Sequence, residues 1–328
     1  MMRRLLAAAV AVVLIGGGTF GYLVLHNPKP GKAVEVVVAP GSTTAGIGSE
    51  LHHAGVIGNT LVFRVLAKLR GLDGKIEAGR YAMFEHMGTE AALSILAKGA
   101  IEKGVPVTVP PGFTAQEIGE RVGARSKISV AAFAAAASKV TLPAVLGGGV
   151  KPAEGTLFPD TYFVGEQENA TELVGRMEGE FQKQTAALDW ARATALGVSR
   201  YDIVIIASLI EREAKVPEDR AKVAAVIYNR LHKKMRLQID ATAIYGIPHK
   251  VPTLADLSRP SPYNTYLIDG LPPTPIASPG LAALDAALHP APIDALYYVV
   301  CEPSGQSCFT NSAAEFERLK ARRPPGTH

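Results

Sequence analysis

The chain opens on an uninterrupted apolar run, "LLAAAVAVVLIGGGTFGYLVL" at residues 5–25, and afterwards breaks into short alternating and helical patterns. A helix of that length spans about 30 Å, the hydrocarbon thickness of a bilayer. Beyond it, "VVVAPGSTTAGIGSEL" (36–51) recurs as "VTVPPGFTAQEIGERV" (107–122), with Val, Val, Pro, Gly, Thr, Ile and Gly at matching places. Each copy predicts a β-strand, a Pro-Gly turn, a Thr N-cap and an amphipathic helix, and Thr114 with Glu117 adds a capping box to the second. A third stretch, "GRYAMFEHMGTEAALSILAKG" (79–99), predicts strand, turn, Thr89 cap, helix and Gly C-cap. Two or three such units are too few for a solenoid and point to a small α+β module.

Further along, "GARSKISVAAFAAAASKVTLPAVLGGG" (123–149) predicts an Ala-rich helix ending in a Gly run, and "EGTLFPDTYFV" (154–164) is aromatic and turn-like. A long helix is expected over about residues 169–196, and residues 222–246 predict a helix running into extended chain. The polar, Pro-rich stretch "SRPSPYNTYLIDGLPPTPIASPG" (258–280) is long for a connector. Irregular runs of that length inside a compact domain are mostly functional or disordered, and its aromatic and apolar content argues against disorder. The strand-and-helix pattern of residues 33–104 resembles LysM-like carbohydrate-binding modules, with a ligand-free scaffold as the competing reading.

The segment "YDIVIIASLIEREAK" (201–215) puts two carboxylates two residues apart at the end of an apolar run. On a helix such positions lie about 200° apart around the axis, so Glu211 and Glu213 must occupy different surroundings. Glu213 shares its side with Ile203, Ile206, Leu209, Ile210 and Val216; Glu211 shares its side with Val204, Ala207, Ser208 and Lys215. A carboxyl held against apolar surface loses hydration of its charged form, and its pKa rises to where it can donate a proton near neutral pH. Glu211 is better placed for structural pairing, with Lys215 four residues on. On the pattern alone, Glu213 is either an active-site acid or the solvated end of a buried helix.

Composition narrows the class. Of 328 residues, 48% are hydrophobic and 20% charged, with a net charge of +4, which suits one large or two modest globular domains. The basic balance comes without a long Lys/Arg block, so no nucleic-acid partner is expected. No H-E-x-x-H, P-loop or G-x-S-x-G motif occurs, and no cofactor is expected. The two cysteines, Cys301 and Cys308, bracket "EPSGQS" after the strand-like "LYYVV". They read either as a disulfide closing a hairpin in an exported domain or as two free thiols. Arg3 and Arg4 precede the apolar run, which exceeds a usual signal-peptide core and lacks an A-x-A site. A retained anchor with its short end cytoplasmic is favoured over a cleaved signal.

The blocks "ASLIEREA", "VAAVIYNRLHKKMRLQIDATAIYG", "SPYNTYLIDGLPPTPIASPG" and "LHPAPIDALYYVV" resemble, in order and spacing, the signature blocks of the endolytic murein transglycosylase family, also called YceG-like. The resemblance takes in most of the chain, including "EGTLFPDTYF". It implies that Glu213 is the catalytic glutamate and that Gln238, Asp240, Tyr245, Asn264 and Tyr266 line a glycan groove. The fold it implies is α+β: a cytoplasmic end (1–4), a transmembrane anchor (5–25), a linker (26–32), a LysM-like module (33–104) and a mixed α+β YceG-like catalytic domain (105–325). It further implies a bacterial inner-membrane protein with its catalytic domain on the periplasmic or outer face. The expected substrate is the bond between N-acetylmuramic acid and N-acetylglucosamine in peptidoglycan strands, cut to leave 1,6-anhydro ends and so limit nascent strand length, with peptidoglycan synthases (penicillin-binding proteins) as partners. Two alternatives stand beside it: a non-catalytic peptidoglycan-binding scaffold, and a muramidase that uses water with Asp240 as second carboxylate.

Overall fold

The computed structural model describes residues 31–100, 102–248 and 251–323. The expected cytoplasmic end, the anchor and the linker up to residue 30 lie outside the described residues. No helix among those described is long and apolar enough to cross a membrane. The described chain divides into two compact units, one comprising the residues up to Val107 with Tyr162–Gln167, the other Thr108–Thr161 with the residues from Glu168 onward.

In the first unit, β1 (Ala33–Val38) leads to α1 (Thr44–His53) and α2 (Thr60–Leu69), then β2 (Gly79–Phe84), α3 (Thr89–Lys98) and the short β3 (Glu102–Lys103). The strands form one antiparallel sheet in the order β1-β2-β3, with Val36 opposite Tyr81 and Val38 opposite Gly79. Alternation along β1 sends Val36 and Val38 inward onto Ile47, Leu51, Phe63, Met83, Leu93 and Leu96. The first strand-turn-helix copy forms as expected, with the Thr43 hydroxyl capping α1 through Gly46 N–H. The third copy departs from expectation at its cap. Gly88, at φ 85°, stands where Thr89 was expected, and Thr89 is the first helical residue and buried. The left-handed φ that turns the chain into α3 is one glycine accepts and threonine does not. Gly99 ends α3 as expected.

The second unit begins within β4 (Val105–Thr108) and continues with α4 (Ala115–Arg125) and α5 (Val130–Ala137). Both halves of the Thr114–Glu117 capping box are made. The Ala-rich segment is shorter than expected. It stops at Ala137, and the Gly run serves a different element, the link between β5 (Val140–Thr141) and β6 (Val150–Lys151), where Gly147, Gly148 and Gly149 all take positive φ. After β7 (Thr161–Val164), which pairs with β4, comes α6 (Ala170–Thr185). The long helix expected to residue 196 is broken here. Trp190 folds back so that its indole N–H donates to the Thr185 carbonyl at 3.1 Å, and a separate turn, α7 (Arg192–Ala195), follows.

The core of this unit is built around α8 (Arg200–Glu213), which Ser199 and Asp202 close with a reciprocal capping box. Its residues from Ile203 to Ile210 are all at most 3% exposed, and all but Ser208 are apolar, so the helix is buried on every side rather than along one stripe. α9 (Arg220–His232), the short α10 (Asp240–Ala243) and α11 (Leu254–Leu257), and α12 (Leu281–Leu288) follow. The hairpin of β8 (Tyr297–Val300) and β9 (Ser307–Thr310) and a final helix, α13 (Ala313–Ala321), complete the unit. Residues 258–280 carry no regular element, yet Asn264, Thr265, Ile276, Ala277 and Ser278 are buried in them, so the segment is a packed part of the core.

Candidate active site

The end of α8 presents three consecutive polar side chains to three different partners. Glu211 Oε2 accepts from the Gly280 N–H at 2.9 Å, at the N-cap of α12, where a carboxylate complements the helix dipole. The structural pairing expected of Glu211 is therefore made, with a backbone amide instead of Lys215. Arg212 donates to the Gly112 carbonyl at 3.0 Å, in the Pro-Gly turn of the second repeat copy. Glu213, half-buried at the last helical position, accepts at Oε2 from the Tyr298 hydroxyl at 2.8 Å.

Burial raises the Glu213 carboxyl above its ordinary range. The Tyr298 hydrogen bond opposes that rise, the negative charge of Asp240 adds to it, and Lys215 and Arg212 oppose it further. Tyr298 is held well above the usual phenol value, by burial first and then by the charge of Glu213, so it remains a neutral donor. Asp240, exposed at the start of α10, accepts from the Tyr266 hydroxyl at 2.5 Å. Tyr266 is likewise raised, by burial and by Asp240, with the charge of Glu213 contributing. Four groups thus share one electrostatic neighbourhood: two carboxyls, each tied to its own tyrosine.

Two devices hold the segments that carry them. The buried Arg230 on α9 donates from Nε to the Leu296 carbonyl at 2.7 Å, and from Nη1 to those of Leu237 at 2.7 Å and Arg236 at 3.3 Å. One guanidinium thereby fixes the chain two residues before Tyr298 and three before Asp240. The hairpin is closed beyond Tyr298 by a Cys301–Cys308 disulfide, and Ser307 N–H donates to the fully buried Asp219 at 2.7 Å. Of the two readings left open for the cysteines, the disulfide is the one found.

The remaining expected groove residues separate. Gln238 is exposed next to the cluster, at φ 50°, its N–H donating to the Thr265 carbonyl at 3.1 Å. Asn264 does not line a surface. It is fully buried, its amide donates to the carbonyls of Asp256, Leu257 and Arg259, and its Oδ1 accepts from Tyr266 N–H at 3.1 Å. A side-chain amide in a Pro-rich loop satisfies backbone groups that no helix or strand can, and here it fixes the loop that presents Tyr266. Tyr245 turns to a different acid: its hydroxyl donates to Glu154 Oε2 at 2.8 Å, and its ring leans on Tyr263 at 4.5 Å. Glu154 is only 5% exposed and also accepts from Ala115 N–H, at the first turn of α4. Burial pushes Glu154 up to about 7 against the lowering effect of both hydrogen bonds.

Tyr298, Arg230 and Glu154 escaped the reading of the residues. Tyr298 sits in an ordinary strand pattern and Arg230 on a helix with basic neighbours, and nothing in their spacing marks a partner 66 to 85 residues away.

The YceG-like family model matches residues 36–322. An endolytic murein transglycosylase of Bacillus subtilis is 32% identical over an alignment covering 94% of this chain and 91% of that protein. One of Streptococcus pneumoniae strain R6 is 29% identical across 93% of this chain, which spans only 62% of the streptococcal protein. The crystal structure of a YceG-like protein from Listeria monocytogenes superimposes with a TM-score of 0.61 at 28% identity, covering 88% of this chain and 99% of that one. With a half-buried acid at the end of its central helix and a family match running almost from end to end, the chain belongs to the YceG-like family.

Proposed function

We propose that the chain is a lytic transglycosylase that cuts the glycosidic bond between N-acetylmuramic acid and N-acetylglucosamine in peptidoglycan, with Glu213 as its acid. The observation that carries this reading is the setting of Glu213: a carboxyl raised by burial and by Asp240, oriented by the Tyr298 hydroxyl, and still reachable from solvent. The names of the relatives from Bacillus and Streptococcus support the substrate class.

Protonated Glu213 gives its proton to the glycosidic oxygen as the bond to the anomeric carbon breaks and positive charge builds there. The acetamido oxygen of the muramyl residue stabilises that carbon, so no second carboxylate has to act as nucleophile. Glu213, now a carboxylate, accepts the proton of the C6 hydroxyl as the C6 oxygen bonds to C1. The product is a 1,6-anhydro end, no water is consumed, and the acid is restored. Tyr298 stabilises the carboxylate stage and leaves the protonated stage to the burial of the site.

The uncharged run at residues 5–25 after Arg3 and Arg4 supports a membrane-anchored enzyme acting on the outer side of the cytoplasmic membrane, where cutting inside nascent strands limits their length and synthases are close partners.

The test is mass spectrometry of the muropeptides that the full chain releases from purified sacculi. Reducing ends one water lighter than hydrolytic ends are expected from the wild type. Hydrated ends that disappear in Asp240→Asn would instead make the enzyme a muramidase. Binding to sacculi without release would make it a scaffold.

A further inference from the structure

The exposed side of α2 combines apolar and basic groups with no acid among them. Leu61, Val65 and Leu69 recur every four residues and are 64%, 39% and 74% exposed, while Arg64 and Lys68 lie on the adjoining strip. The helix, "TLVFRVLAKL", contains no Asp or Glu, and neither Arg64 nor Lys68 is ion-paired among the described residues. Beside them lies a cleft of about 400 Å³ whose other walls include Thr43, Thr44 and Asp73. Those polar groups are already occupied: Thr43 caps α1, and the Thr44 hydroxyl donates to Asp73 at 2.6 Å and accepts from Gly74 N–H. No aromatic side chain lines the cleft to stack on a sugar ring. Asp73 remains exposed in the cleft with one oxygen held by Thr44, while what α2 itself offers a partner is cationic and aliphatic.

The chain reaches this unit beside the turn that leads into α2. Gly31 N–H donates to Glu85 O and Lys32 O accepts from Glu85 N–H; the next residue, His86, donates to the carbonyl of Gly55, four residues before Asn59, the N-cap of α2. Only seven residues, "HNPKPGK", separate the apolar run 5–25 from β1, a reach of at most about 24 Å. Lys29 and Lys32 give that tether two positive charges.

We propose that the exposed face of α2 docks on the anionic phospholipid surface of the bilayer that holds the chain, with Leu61, Val65 and Leu69 in the interface and Arg64 and Lys68 on lipid phosphates. The inference rests on the reading that residues 5–25 anchor the protein. It adds that the first unit lies on the membrane instead of swinging free on its tether.

The experiment uses the full chain carrying Val65→Cys, spin-labelled, the native cysteines being joined in the disulfide. It is reconstituted with vesicles of phosphatidylglycerol or of phosphatidylcholine, with Glu50→Cys as the labelled control. The Val65 label is expected to be shielded severalfold from a water-soluble nickel chelate, and open to oxygen, in phosphatidylglycerol only. Arg64→Glu with Lys68→Glu is expected to abolish the shielding, and the Glu50 label is expected to stay in water throughout. A Val65 label equally wet in both lipids overturns the proposal, as does shielding that appears only on adding sacculi, which would assign the face to glycan. Flotation separates the two readings: floating with both lipids upholds the anchor whatever the label shows. Floating with phosphatidylglycerol alone upholds the face without the anchor, and floating with neither overturns both.

Discussion

Two glutamate–tyrosine pairs stand in the second unit, and they differ in one respect that decides their chemistry. Glu213 with Tyr298 and Glu154 with Tyr245 have the same 2.8 Å hydrogen bond, and burial raises both acids while the phenol opposes the rise. Glu154 is sealed at 5% exposure and already committed to the Ala115 amide, whereas Glu213 is half-buried and has the second charged pair, Asp240 with Tyr266, beside it. A raised pKa therefore does not identify a catalytic acid; a raised pKa on a group that a substrate can reach does. Glu154 instead ties the first turn of α4 to the residues after α10.

The sharpest way to break this contrast is to neutralise each acid. Glu213→Gln is expected to lower glycan release by roughly 10²- to 10⁴-fold, the usual contribution of a general acid, while Glu154→Gln keeps activity within a few-fold in a muropeptide-release assay. Equal losses from both would erase the distinction.

The second effect is on stability. The carboxyl of Glu154 rises from 4.5 to about 7 on folding, so the folded state binds its proton more tightly than the unfolded chain. The stability this gives is fully present below pH 4.5 and is lost as the pH rises towards 7, a span worth about 3 kcal/mol. Denaturant titrations of wild type and Glu154→Gln should diverge across that window, with the variant the flatter of the two. Parallel curves would mean that Glu154 is ionised at little cost.

The hairpin offers a smaller perturbation that touches only one pair. Replacing Cys301 and Cys308 by serine opens a loop with a sequence separation of 7 and is expected to cost about 2 kcal/mol of unfolding free energy. It should loosen Tyr298 and leave Tyr245 unaffected, which hydrogen exchange along β8 and at residues 240–246 would resolve.

Smallest in rate, and most specific, are the neighbours of Glu213. A general acid loses activity as pH rises through its pKa. Tyr298→Phe removes an interaction that lowers that pKa, so the alkaline limb of kcat/KM should move up, with a rate loss of roughly tenfold. Asp240→Asn removes one that raises it, and the limb should move down. Movement of both limbs in one direction would show that one of the two residues does not act on Glu213 in this way.

Much of the frame was legible in the residues because it is local. The Thr114 capping box, the strand-turn-helix copies, the helix from residue 200 and the opposed directions of Glu211 and Glu213 follow from periodicity and cap chemistry. What failed were features set by distant packing. Trp190 folding onto Thr185 broke a helix whose pattern continued, and the Gly run after α5 was recruited to the link between β5 and β6. Tyr298 reached Glu213 across 85 residues, Arg230 reached the hairpin across 66, and Asn264 turned from a groove into the backbone of its own loop. A family pattern can mark such residues as belonging together, but which of them face substrate and which brace the others is decided by three-dimensional burial.

The most direct measurement is an infrared titration of the carboxyl C=O band in Glu154→Gln, where the other strongly raised acid is silent, with the double variant carrying Glu213→Gln as the blank. The account predicts a band absent from the blank that titrates above the ordinary glutamate range, at the pH of the alkaline limb of kcat/KM. A Glu213 carboxyl already ionised at the ordinary glutamate value, with the limb unchanged, would contradict its assignment as the acid.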